Sequence, residues 1–467
     1  MPRVFLVRPL LPLILLGAAI VGCDSTRSVD PRASSTSAVF DRGHGPGGGH
    51  DDDSLVALVR ALAKARGIKP LVHPAPVRPA LVRLGQALAF DKILAGTRDI
   101  SCMTCHTPSF ATGDGLSLSI GQGGVGVGPT RVPPNGAFVA RNAPALFNLF
   151  ALDKLFWDGR VSVDEHGEFH TPAGAQLTPA MTRVFEFGAV SALAMFPVTS
   201  PAEMRGTSGN ELASIPPDDF TDIWAGIMKR IGQIPEYRRM FEEAYPGRRF
   251  ADMNFAYASN AIAGFFVDKL SFTGTPWDRF LAGDERALSE RQLAGAQQFL
   301  SLKCSVCHTG ATFSDRQFHD VAVAQIGPGE GNGPSGRDDF GRFNVTNDPA
   351  DLYRFRTTPL RNVELTAPYG HDGSIINLRD FIDHYGNSDQ KLADYNPLQL
   401  QPILRGTLLN TTSAILQQRD TLLNGVVLPS AVVDQLVDYM SALTDDAARD
   451  LRHLVPRQVP SGLRVDR

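Results

Sequence analysis

Cysteine is scarce in this chain, with 5 in 467 residues. That excludes a scaffold held together by disulfides, because such scaffolds are short and cysteine-dense. A basic excess is missing too. The net charge is −4 and the pI is near 6.3, so there is no electrostatic footprint for nucleic acid and no such partner is expected. No internal apolar run is long enough to cross a bilayer, and strand signals are few and short. What remains is an ordinary globular composition, 43% hydrophobic, on a chain long enough for two or three domains.

The few cysteines are not scattered. "SCMTCHTP" at 101–108 and "KCSVCHTG" at 303–310 each place two cysteines two residues apart with a histidine directly behind. A redox dithiol of the thioredoxin kind calls for a preceding strand and a single copy. A shared four-cysteine zinc site leaves both adjoining histidines without a reason to be there. Covalent haem accounts for every residue: two sulfurs bond to the porphyrin vinyl groups, and the histidine reaches the iron from the same helical turn. The reading is therefore two c-type haems, one on Cys102, Cys105 and His106, the other on Cys304, Cys307 and His308.

The N-terminus points to the compartment where such attachment occurs. Arg3 and Arg8 flank the start of "PLLPLILLGAAIVG", an apolar stretch that ends in small residues at Cys23. This reads as a signal peptide over residues 1–23. "IVGC" resembles a lipobox, with Cys23 as the lipid-bearing residue of a lipoprotein; an ordinary signal peptide cleaved nearby is the other reading. Asp24 resembles an inner-membrane retention signal, a rule that varies between bacterial groups. Residues 24–53, rich in Ser, Gly, Asp and Pro, read as a disordered tether, with His44 and His50 solvated in it. The expected location is the periplasmic side of a bacterial membrane, through a lipid anchor.

Downstream, apolar residues recur at helical spacing in "LVALVRALAKARG", "RPALVRLGQALAFDKILAG", "FADMNFAYASNAIAGFFVDKL", "ALSERQLAGAQQFLSLKC", "NLRDFIDHY" and "SAVVDQLVDYMSALTDD". Residues 113–134 and "GPGEGNGPSGRDD" read as irregular loops. The fold class is mainly α: two cytochrome c-like haem domains with long irregular loops, one over residues 54–284 and one over 285–455.

With the haem residues placed, the chain resembles the bacterial di-haem cytochrome c peroxidase and MauG family over roughly residues 71–455. Beyond the haem motifs, the likeness is carried by "RNAPALFN", "FWDGR", "SPAEM", "FRTTPLRNVELTAPYGHDG" and "LRDFIDHY". The resemblance implies an exported oxidoreductase that reduces hydrogen peroxide at the first haem. Electrons pass through the second, from a small redox protein or from a protein side chain. It also implies individual roles. Glu203 is the distal carboxylate that moves a proton during O–O cleavage, and Trp157 is the aromatic group between the haems. Gln122 stands where some members carry a histidine that caps the peroxide site, which leaves the first iron five-coordinate. Tyr385 is the expected distal ligand of the second iron, with Met440 as the alternative. Asn142 with the carbonyls of Thr357 and Pro359 matches a calcium site. Two departures stand out. The stretch between Trp157 and Glu203 is longer than in compact members, and Leu193 occupies the place of a usual polar glutamine. The insert's "EHGEFHTPAGAQ" is a candidate source of the missing polar group, although His166 and His170 read as solvated. A non-catalytic di-haem electron-transfer lipoprotein is the competing reading, and a dioxygen-using oxygenase a third.

Overall fold

Two helix pairs, one in each half of the chain, carry the architecture of the computed structural model, which describes residues 49–135 and 137–467. The signal sequence, Cys23 and the tether as far as residue 48 lie outside the described residues. Helix α1 spans Gly49–Ala65, so residues 49–53, expected in the tether, are helical. Gly67 follows it at φ +64°.

Helix α2, Pro79–Phe90, starts on a proline whose missing N–H costs nothing in the first turn. The short α3, Cys102–Cys105, is capped reciprocally by Ser101 and Thr104. Helices α4, Phe220–Ile231, and α5, Pro235–Ala244, lead to α6, Phe255–Lys269, which is buried along nearly its whole length. Helix α7, Glu290–Ser301, opens with a capping box between Ser289 and Gln292. It delivers α8, Cys304–Cys307. Helices α9, Leu378–His384, and α10, Ser430–Ala442, complete the second half.

Each half repeats one packing device. A Cβ on Gly85 of α2 would lie 1.8 Å from the Ala261 carbonyl of α6, and one on Gly295 of α7 would lie 1.9 Å from the Gln435 carbonyl of α10. Only glycine permits these close crossings, and in both halves the glycine-bearing helix is the one that leads into a cysteine pair.

The cores do not follow chain order at the ends. α1 sends Val56, Val59 and Ala63 into the second core, beside Trp277, Phe299 and Tyr439. The C-terminal tail sends Leu451, Leu454, Val459 and Val465 into the first, beside α2 and α6. The tail ends on the first cysteine motif: Asp466 accepts from Thr104 Oγ1 at 2.6 Å and pairs with Lys92 at 2.7 Å.

Strands are short, as expected. β1 (Lys154–Leu155), β2 (Val161–Val163) and β3 (Phe169–His170) form an antiparallel sheet that pairs the start of the long insertion with the residues before Trp157, Leu155 lying opposite Val161. β4 (Phe318–His319) pairs with β5 (Phe355–Arg356). The glycine-rich loop at 113–134 is irregular but well tied. The buried guanidinium of Arg131 donates to the carbonyls of Ile120, Gly121 and Gly126 at 2.7–2.9 Å. Among the described residues no helix is long and apolar enough to cross a membrane.

Candidate functional site

A continuous cavity of about 400 Å³ receives both cysteine motifs. Its lining includes Cys102, Cys105 and His106 from the first and Cys304, Cys307 and His308 from the second. No disulfide joins these cysteines. Burial pushes the Cys102 thiol up to about 12 and the Cys304 thiol to about 11, and raises Cys105 as well. A redox dithiol or thiolate site requires the opposite shift, so Cys102, Cys105 and Cys304 are not set up as thiolates.

The histidines are set as iron ligands. His106 Nδ1 donates to the Thr112 carbonyl at 2.9 Å, and His308 Nδ1 to the Phe313 carbonyl at 3.0 Å. A carbonyl can only accept, so the proton sits on Nδ1 and the Nε2 lone pair is left for a metal. Burial lowers both imidazoles below their ordinary range, which keeps them in the neutral, ligating form. The donor set, the tautomers and the largely apolar lining all fit two covalent haems.

Glu203 lies on a widened helical turn, Pro201–Arg205, capped by Ser200. The glycine-rich loop buttresses that turn. Gln122 N donates to the Glu203 carbonyl at 3.0 Å, and a Cβ on Gly121 would fall 1.7 Å from the Ala202 carbonyl. The side chain of Gln122 is turned to Thr97 N at 3.3 Å and is not part of the cavity wall. Glu203 lines the cavity, and its nearest cation is Arg160, Nη2 to Oε1 3.9 Å. Burial raises its carboxyl, with the Arg160 charge acting against that and Glu330 adding to it.

Trp157 is held from both halves of the chain. Its Nε1 donates to the Asn142 carbonyl at 2.9 Å, and its own carbonyl accepts from Arg356 N at 2.8 Å. The indole lines the cavity, as do Tyr385 and Met440. Tyr385 packs edge-on against Phe381 at 5.5 Å, and burial raises its phenol. Asn142, Thr357 and Pro359 line the same cavity. The Asn142 amide donates to the carbonyls of Leu116 and Ser117 at 2.9 and 3.2 Å, while buried Thr357 Oγ1 has no hydrogen-bond partner. Leu193 faces the cavity too. The insert histidines do not: His166 and His170 are exposed beside Glu165 and Asp164.

Two features were not singled out from the sequence. Arg141, 6% exposed, donates to Asp158 Oδ2 at 2.5 Å and to both Asp339 oxygens at 2.6 and 2.8 Å, bridging the halves at the cavity wall. Glu330 stands 3.8 Å from the same guanidinium. The partners are nearly two hundred residues apart, so only folding relates them. The second feature is His319, which with Cys307 and Asp315 forms the metal-like cluster found among the described residues. Its ring nitrogens face Asp420 at 2.6 Å and Asp315 at 3.0 Å. Burial opposes its charge, yet the hydrogen bonds to these carboxylates hold the imidazolium up to about 11. Both nitrogens therefore donate, and neither offers a lone pair to a metal.

Comparisons with known proteins agree with this geometry. The family described as di-haem cytochrome c peroxidase matches residues 79–286. Cytochrome c551 peroxidase of Pseudomonas aeruginosa is 30% identical over 315 residues, 67% of this chain and 73% of that protein. Methylamine utilization protein MauG of Methylorubrum extorquens is 28% identical over 391 residues, 82% of this chain and 88% of its own. Among solved structures, a MauG-like protein associated with microbial copper homeostasis superposes with a TM-score of 0.57 at 24% identity, covering 83% of this chain and 95% of that one. The diheme peroxidase BthA from Burkholderia thailandensis gives 0.56 at 19% identity over 80% and 88%; these two speak for the fold alone. Two haem-attachment motifs opening on one chamber, within a chain so matched, place this protein in the di-haem cytochrome c peroxidase and MauG family.

Proposed function

We propose that this di-haem oxidoreductase reduces hydrogen peroxide at the haem held by Cys102, Cys105 and His106. Electrons enter through the haem held by Cys304, Cys307 and His308. The single observation that carries the assignment is the placement of Glu203 on the wall of the chamber that receives the first motif, with Gln122 turned out of it. The bound haems supply the iron chemistry and the redox equivalents. Glu203, its carboxyl raised by burial, moves a proton between the peroxide oxygens. Arg160 orients that carboxyl. Trp157, tied to both halves, supplies an aromatic link along the path between the two haem positions.

Tyr385 is the proposed distal ligand of the second iron. A phenolate oxygen favours the more oxidised metal, and because burial raises this phenol, it gives up its proton only to a cation. The electron donor is a small redox protein or an amino-acid side chain of a protein substrate, as the peroxidase and MauG relatives suggest. Export, lipid attachment at Cys23 and a periplasmic location complete the reading and rest on the N-terminal sequence. Calcium is retained in it, on the oxygens of Asn142, Thr357 and Pro359, because the partnerless hydroxyl of Thr357 is one more hard donor there. Elemental analysis before and after chelation tests that point.

The deciding experiment is EPR of the fully oxidised, haem-loaded protein, paired with peroxide consumption by wild type and Glu203→Gln. One high-spin and one low-spin ferric signal, with a loss of activity of about 10²–10⁴-fold in the variant, is the expected result. Two low-spin signals and a variant as active as wild type would return the protein to the class of plain electron carriers.

A further inference from the structure

The cavity wall beside Glu203 carries more carboxyl than guanidinium. Two cations, Arg141 and Arg160, face four acids: Asp158, Asp339, Glu203 and Glu330. Asp158 and Asp339 take Arg141 directly at 2.5–2.8 Å, and Arg160 adds a contact to Asp158 at 3.4 Å. Both positive charges are thereby matched. Glu203 and Glu330 are left over, the first 3.9 Å from Arg160 and the second 3.8 Å from Arg141, and both line the chamber. Two carboxylates on one wall, their side chains 24% and 32% exposed, disfavour each other's ionised form.

Glu330 reaches this position on a rigid loop. It sits between Gly329 at φ +62° and Gly331 at φ +83°. A Cβ on Gly329 would lie 1.7 Å from the Arg337 carbonyl. Glu330 N donates to the Asp338 carbonyl at 3.0 Å. Arg337 clamps the loop base by donating to the carbonyls of Gly327 and Thr407, each at 3.0 Å.

We propose that Glu330 is the second polar group of the peroxide site: with Glu203 it forms a carboxyl pair on the chamber wall, each disfavouring the charge on the other. The proposal rests on the assignment of the first haem as the peroxide site. Glu330 replaces what Leu193 cannot offer, and it comes from the other half of the chain rather than from the insert. Acting through Glu203, it is a positioning residue. The charged groups facing the pair are Arg141, Arg160, Asp158 and Asp339; His371, beside Asp339, is kept neutral by burial. The Glu330 charge is among those that raise Glu203.

Fluoride binding to the ferric, haem-loaded protein reads the pair without turnover, because an anion on the iron is favoured by a protonated acid above it. Affinity measured against pH is expected to fall in two steps in wild type, one for each proton of the pair. In Glu330→Gln the fall becomes one step that finishes about one pH unit lower, since a neighbouring like charge is gone. Glu330→Asp keeps the charge and restores the second step, and equal haem content and melting temperature show that the variants are folded. A Glu330→Gln profile superposing on wild type would overturn the pair and reduce Glu330 to a counter-charge for Arg141. A wild type that binds no fluoride at any pH would instead show a capped first iron, overturning the open-site reading and the pair with it.

Discussion

Replacing Arg141 with methionine tests the cavity wall most directly. The guanidinium is 6% exposed, and it holds Asp158 and Asp339, themselves 3% and 4% exposed, from opposite halves of the chain. Breaking a buried ion pair from one side costs about 3–5 kcal/mol, because the remaining charge stays buried without its partner. The Asp158 share follows from its proton affinity. Burial opposes ionisation, yet the charges of Arg141 and Arg160 hold this carboxyl at about 2, against an ordinary 3.8. That depression corresponds to about 2 kcal/mol. Asp339 is lowered by the same guanidinium against its own burial. Carboxylates with depressed folded values stabilise the protein above their unfolded value and lose that contribution as pH falls toward the folded one. The gap between wild type and Arg141→Met is therefore full near neutral pH and shrinks as the solution is taken from pH ~4 toward ~2. Urea unfolding of the haem-loaded proteins, followed by circular dichroism across that range, measures it. A neutral-pH difference below about 1 kcal/mol, or a gap that widens on acidification, refutes the reasoning.

Two further outcomes follow from the geometry. Gly121→Ala places a Cβ 1.7 Å from the Ala202 carbonyl and must displace the turn bearing Glu203. Peroxide turnover is expected to fall by roughly tenfold or more while mass spectrometry still shows two haems attached. Tyr385→Met exchanges a hard anionic donor for a neutral soft one. Potentiometric titration is expected to move the second haem upward by on the order of 100 mV, and an unchanged potential would remove Tyr385 from that iron.

How much of this was legible in the sequence depends on the distance over which each feature is written. Cys102, Cys105 and His106 are local, as are their counterparts from Cys304 to His308, and the helices that deliver them announce themselves by apolar spacing and capping residues. The α6, α7 and α10 helices fall within the stretches that periodicity marks, whereas α2 ends at Phe90, short of the marked stretch, and a separate short turn follows. Glu203 and Trp157 are visible only through the phrases around them, and the cavity then brings both to the motifs. Arg141 opens the "RNAPALFN" phrase, but its pairing with Asp339, like the settings of Glu330 and His319, is silent in the sequence. An arginine, a loop glutamate and a histidine are ordinary residues until folding sets carboxylates around them. The insert's histidines, read as solvated, do lie at the surface, while the carboxyl beside Arg141 comes from a glycine-framed loop in the other half. The loop at 113–134 looked merely irregular, because nothing local foretells that Arg131 collects three of its carbonyls.

The exchange of chain ends between the two cores bears on how the molecule is made. The first cysteine motif leaves the ribosome long before the residues that seal its core, from Leu451 to Val465, and before Asp466, which grips Thr104. The second core in turn takes in a helix made well ahead of the rest of it. Neither half can be finished as an autonomous unit while the chain is still growing. Cutting the protein between its haem motifs would therefore yield two fragments that each lack a wall, and that regain it only by finding one another.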